Sequence, residues 1–198
     1  MSPRVMVFID YQNVVFSAFT RFVAPGGGTS IPNLDPLAIG NLLVGRRREG
    51  GSLVGVRVYR GAPSSNHQPE ASAVNQQQAS RWTLDRRVEV IRRPLLYPRG
   101  WPDTPAREKG IDVSLAVDFV RLAIEGAYDV GILFSRDTDL LPALETVHEL
   151  RLAHVEVASW QHTSRLEFAR TLRPWCHHLG EADFKSVIDP AVYKRRMP

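Results

Sequence analysis

Short runs of β-branched and aromatic residues alternate along this chain with longer stretches of helical period, and that alternation leaves few folds open. Residues 5–10 (VMVFID), 53–59 (LVGVRVY), 88–92, 130–135 (VGILFS) and 154–158 read as strands. Helical patterns occupy residues 36–48, 68–87, 109–126 and 138–150, with a shorter one over 164–172. Residues 94–108 carry four prolines and no clear period, so they read as a loop. A β-α-β-α series of this kind predicts an α/β fold, with a parallel sheet of about five strands covered by helices on both faces. Right-handed crossovers then place the carboxyl ends of the strands along one edge, where such folds bind ligands. The 198 residues read as one domain over 1–180, with a variable insert around 61–107, and a C-terminal tail over 181–198 that includes Lys194, Arg195 and Arg196.

Composition narrows the function classes. Hydrophobic residues make up 43% and charged residues 23%, a globular balance with no apolar run long enough to span a bilayer. The first ten residues lack a signal-peptide pattern, so a cytoplasmic location is the expectation. Cys176 is the single cysteine, which excludes an intrachain disulfide and a thiolate zinc cluster. Cys176, His177 and His178 have no spaced partners and read as packing or surface residues. The net charge of +4 suits a polyanionic partner, the more so because several acids fall in motifs. Gly26, Gly27 and Gly28 are not followed by a Gly-Lys-Ser/Thr, so they form no P-loop. Oligomeric state leaves no mark in the pattern.

The acids are the informative part. Asp10 closes the first strand, and Asp137 follows the fourth with Asp139 two residues on. In a parallel sheet both strand ends lie on one edge. Asp112 stands in the first turn of the 109–126 helix and shares its inward face with Leu115, Ala116 and Phe119. Taken singly, Asp137 or Asp139 reads as a helix cap and Asp112 as an acid favoured by the helix dipole. No obvious amphipathic helix follows Asp10. Together, three carboxylates are expected to converge and repel, unless one is protonated or a hard divalent cation binds, Mg²⁺ or Mn²⁺ by preference. Asp118 shares a polar stripe with Ser114, Arg121 and Glu125, so it reads as paired with Arg121 and only as a minor site candidate.

Three segments carry a family resemblance. They are F-I-D-Y-Q-N at 8–13, K-G-I-D-V-S-L-A-V-D at 109–118, and L-F-S-R-D-T-D-L-L-P at 133–142. In this order and spacing the chain resembles the NYN domain family, PIN-like nucleases that include LabA-type proteins. The resemblance covers the core from residue 5 to about 158. It implies a Rossmann-like PIN fold, a divalent metal and hydrolysis of RNA. It makes Asp10, Asp112 and Asp137 the metal ligands, directly or through water, with Asp139 an outer member of the site. Asn13 would orient an acid or the substrate, and Ser135 would sit beside the strand end. Leu140 and Arg136 depart from the commoner residues of the third motif without removing an acid.

The candidates for holding nucleic acid are basic. Lys109 stands at a helix start beside the acids, and Arg136 lies within the third motif. Arg93 and Arg107, with Arg86, Arg87, Arg92 and Arg99, lie near Tyr97 and Trp101, a mixture that can neutralise phosphates and stack unpaired bases. The bland alternative is a solvated, proline-rich loop. The resulting expectation is a metal-dependent endoribonuclease acting on single-stranded RNA. Its rivals are a structure-specific DNA nuclease on the same site and a non-catalytic RNA-binding or scaffold protein. A phosphatase of the same general fold is disfavoured, because Tyr11 and Gln12 follow Asp10 where an Asp-x-Asp nucleophile motif would be needed.

Overall fold

The computed structural model describes residues 2–163, 166 and 174–193. Six strands, β1 (Arg4–Asp10), β2 (Ser52–Ala62), β3 (Val88–Pro94), β4 (Val130–Phe134), β5 (His154–Trp160) and β6 (Trp175–Leu179), form one all-parallel sheet in the order β3-β2-β1-β4-β5-β6. The chain runs outward from β1 in one direction and, from β4, outward in the other. The order therefore reverses between β1 and β4, and a crevice opens at the carboxyl ends of those two strands.

Helices cover both faces. On one side lie α1 (Tyr11–Ala18), α2 (Pro36–Gly45), α3 (Pro69–Trp82) and α6 (Glu181–Ser186); on the other, α4 (Ile111–Ile124) and α5 (Leu141–Glu149). β1 is buried from Val5 to Asp10 because it is central and covered twice. Its residues alternate between two cores. Val5, Val7 and Ile9 join Val14, Ile39, Leu43 and Trp160. Met6 and Phe8 join Leu115, Phe119, Leu133 and Leu144. Phe8 also packs on Phe119 and Tyr128 at ring distances of 4.8 and 5.5 Å.

Local chemistry sets the helix starts. Asp35 accepts hydrogen bonds from the Leu37 and Ala38 amides at 2.9 and 3.2 Å, and Pro36 opens α2 with its φ already helical. Gly110, at φ 75°, turns the chain into α4 in a left-handed conformation that suits a residue without Cβ.

Four expectations change. The sheet has a sixth strand, β6, in a stretch read as irregular. α1 exists, although its eight residues show a poor amphipathic pattern, because Val14, Val15 and Ala18 find the core while Phe16 stays out. α3 stops at Trp82 instead of 87, and residues 83–87 form a turn in which Asp85 pairs with Arg87. Residues 181–189, read as tail, pack home: Phe184 and Val187 are buried in the first core, and Leu34 bridges to Ile188. The helix expected over 164–172 and the basic residues 194–196 lie outside the described residues.

Candidate metal centre at the sheet switch point

Asp10 ends β1, and its carboxyl serves two neighbours. Oδ1 accepts from the Asn13 amide at 3.4 Å, capping α1, and Oδ2 accepts from the Ser135 hydroxyl at 2.8 Å. Ser135 follows β4 directly, and its Oγ in turn accepts from the Asp137 amide at 3.0 Å. Asp137 caps the short 3₁₀ turn Thr138–Leu140 by accepting from the Asp139 amide at 2.9 Å. Asn13 Oδ1 accepts from the Arg136 amide at 3.2 Å, tying α1 to the loop after β4. Capping and clustering are therefore the same arrangement for Asp10 and Asp137, not alternatives.

Asp112 enters from the first turn of α4, on the face that also carries Leu115 and Phe119. One ligand oxygen from each of Asp10, Asp112 and Asp137 lies within 4.8 Å of the others. Asp10 is 4% exposed. Burial drives its carboxyl pKa up to about 7 against the pull of the Ser135 and Asn13 hydrogen bonds, and the nearby charges of Asp112 and Glu108 add to the rise. Burial and the charges of Asp137 and Asp139 raise Asp112 as well. Three converging carboxyls with only oxygen donors on offer, Asp10 and Asp112 both raised in pKa, fit a hard divalent cation such as Mg²⁺ or Mn²⁺.

Asp139 is exposed on the 3₁₀ turn and stands outside the triad, close enough to act on Asp112 through charge. Glu108 is a fourth acid that the sequence reading missed. It accepts from the Gly61 amide at the end of β2, and burial together with Asp112 raises its pKa. The available signal was its place directly before the Lys109-Gly110 motif.

Asp118 belongs elsewhere. It accepts from Tyr59 and Arg57 at 2.9 Å each, and from Arg121 at 2.9 Å. Burial alone would raise its pKa, but these three partners outweigh it and hold the carboxyl below its usual range. Asp118→Asn is expected to lower stability by roughly 1–3 kcal/mol, the scale for a charge-assisted hydrogen bond, and to leave Mn²⁺ affinity unchanged. Urea unfolding and metal titration check both halves.

The basic candidates separate. Lys109 is exposed at the entry of α4, with no ion pair among the described residues. Arg93 donates to Ser114 Oγ at 2.9 Å and lies against Gly110, beside the same helix start. Arg107 is exposed and pairs through its backbone with Leu96. Arg136 is half-buried beside Asp137. Arg87 sits at the opposite edge of the sheet, bound to Asp85. Tyr97 and Trp101 pack on each other at 5.1 Å, and Tyr97 stacks on His67 at 4.1 Å.

The fold has a relative among solved structures. A protein of unknown function from Vibrio parahaemolyticus RIMD 2210633 superimposes with a TM-score of 0.59 at 17% identity, over 94% of this chain and 96% of that one. No curated protein sequence matches. The NYN domain model matches residues 4–171, a span that contains the acids from both strand ends and the helix that completes the triad. On that match the chain belongs to the NYN domain family.

Proposed function

We propose that this chain is a divalent-metal-dependent endoribonuclease that hydrolyses phosphodiester bonds in single-stranded RNA. One observation carries the reading: three carboxylates from separate elements meet within 4.8 Å at the switch point, one of them buried. A carboxylate cluster repels a polyanion unless a cation stands between them, so the site makes sense as a place where metal and phosphate meet. NYN domains act on nucleic acid and are generally hydrolytic nucleases, which supports the same assignment.

Mg²⁺ or Mn²⁺ held by Asp10, Asp112 and Asp137 would supply Lewis-acid stabilisation of the phosphodiester and a lowered pKa for water. The protein's own groups set the geometry. Ser135 holds Asp10 Oδ2 and so fixes the carboxyl that meets Asp112 and Asp137. Asn13 fixes the Arg136 amide and so the loop that carries Asp137. Lys109 and Arg93, at the positive end of α4, are placed to neutralise phosphates flanking the scissile bond. Asp139 and Glu108 tune the cluster's charge from outside the triad.

The test is incubation of the protein with labelled single-stranded RNA, single-stranded DNA and duplex DNA, in Mn²⁺, Mg²⁺ or EDTA. Internal cleavage of RNA that EDTA stops is the expected result. Cleavage of DNA alone would move the assignment to a DNA nuclease, and RNA binding without cleavage in either metal would make the protein a binding module.

A further inference from the structure

A cleft of about 220 Å³ opens between α1, the 31–33 segment and α3, on the sheet face away from α4 but at the same carboxyl edge as Asp10. Register explains its position. Asp10 pairs with Tyr59, so Arg60 lies one step further along the neighbouring strand, roughly 5 Å across. Alternation sends Tyr59 to the α4 side and Arg60 to the side of α1 and α3. Tyr11, which lines the cleft, directly follows Asp10. A strand lying over the acids therefore has this cleft within reach of its next nucleotide.

The lining is amphipathic in a particular way. The Arg60 guanidinium lies over the Tyr11 ring at 4.7 Å and over Trp82 at 5.4 Å. Its Nη1 donates to Gln78 Oε1 at 2.7 Å, while its Nε is buried with no hydrogen-bond partner among the described residues. A buried donor without an acceptor is costly, and a small shift of Arg60 toward the cleft it lines would let a ligand acceptor satisfy it. Facing it are Phe16, 50% exposed, and Ile31, 48% exposed, two large apolar groups left in water at the mouth. The Gln12 amide lies on the same wall. The volume is below the roughly 300–1,000 Å³ of sites for drug-sized ligands and suits one ring system.

We propose that this cleft receives an unpaired nucleobase of the strand whose phosphodiester lies at the acid cluster. The inference rests on the nucleolytic reading for the identity of that strand. A base supplies what the lining lacks, an apolar face for Phe16 and Ile31 and an edge acceptor for Arg60 Nε. A bare phosphate would leave the apolar wall unused, and an aliphatic side chain would leave the Arg60 donor unpaired.

The test uses oligoribonucleotides with a single 4-thiouridine, photo-crosslinked to the full chain in Ca²⁺ and mapped by mass spectrometry. Crosslinks to Tyr11, Phe16 or residues 31–33 are expected. Phe16→Ala should weaken binding of the intact strand roughly 10-fold, the scale of one base–aromatic stack, with the loss shrinking when the strand carries an abasic position. Gln12→Ala should act in the same direction more weakly. Crosslinks confined to other surfaces, or a Phe16→Ala loss equal on intact and abasic strands, would overturn the proposal. RNA crosslinked in the cleft yet never cut in Mg²⁺ or Mn²⁺ would keep the base site and remove the nuclease reading. RNA that is cut while crosslinking elsewhere would do the reverse.

Discussion

Asp10→Asn is expected to remove metal-dependent cleavage while making the metal-free protein more stable. The activity loss should reach at least about 10²–10³-fold, the scale for one missing electrostatic stabiliser. The stability gain follows from the buried carboxyl. Its folded pKa, about 7, lies above its ordinary value of 3.8. The folded state thus holds the proton more tightly than the unfolded chain does. Stability from this group is full below about pH 4 and is lost as pH rises through 7. At pH 8 in EDTA the penalty is at most about 4 kcal/mol, by 1.36 kcal/mol per pKa unit. Asparagine removes the charge but can accept only through one oxygen, so it keeps one of the Ser135 and Asn13 contacts and recovers part of that sum. A rise in melting temperature of roughly 3–8 °C at pH 8 is expected, with little change at pH 4. Mn²⁺ should stabilise the parent protein and not the variant. A variant that melts lower in EDTA at pH 8 would show that Asp10 is chiefly a helix cap.

Glu156→Ala should produce the largest loss of stability. Glu156 on β5 is 4% exposed and accepts from Arg47 Nε at 3.0 Å, with His177 Nε2 at 2.8 Å on its other oxygen. Both partners are buried as well. Burial would raise the Glu156 pKa, but His177 and Arg47 overcome it and hold the carboxyl below its ordinary value. Removing the acid leaves the buried Arg47 charge without its carboxylate, with the Gly50 carbonyl still accepting from Nη1, at a cost of about 3–5 kcal/mol. Replacing both charged partners, Arg47→Met with Glu156→Leu, should cost less, because no buried guanidinium is left and the remaining cost is His177 Nε2 without its carboxylate. Urea unfolding of the three proteins decides the matter, and a cost below about 1 kcal/mol for Glu156→Ala would refute the account.

The acid triad was legible because each member sits beside an element the sequence announces. Asp10 ends a strand of unbroken apolar residues, Asp137 follows another, and Asp112 shares a helix face with Leu115 and Phe119. Parallel topology then brings them to one edge. Glu108 has only its place before the Lys109-Gly110 motif to announce it, since what holds it is the Gly61 amide, 47 residues away in sequence. β6 was hidden for a similar reason. Its W-C-H-H-L looks polar at the centre, and His177 is tolerated inside only because Glu156 on the neighbouring strand receives it. Arg60 is an ordinary strand arginine in the sequence, and only the rings of Tyr11 and Trp82 give it a fixed place. In these three cases what failed to show was a polar residue whose partner is distant in sequence.

The packing of residues 187–189 against residues 33–35 has a consequence for how the chain is made. The Asp35 amide donates to the Val187 carbonyl at 2.8 Å, and the Asp189 amide to the Asn33 carbonyl at 2.9 Å. Asp189 also accepts from the Trp82 indole at 3.0 Å, which closes α3 onto the same segment. As the ribosome extends the polypeptide, β1, α1 and α2 emerge long before β4 and the 187–189 segment that complete them. The central strand then waits with one edge open, and the entry to α2 lacks its cover, for more than half of synthesis. Contacts of such high sequence separation slow folding and expose sheet edges meanwhile. A nascent chain halted before residue 187 should therefore bind holdase chaperones and resist protease poorly, and both properties should change once 187–193 clear the exit tunnel.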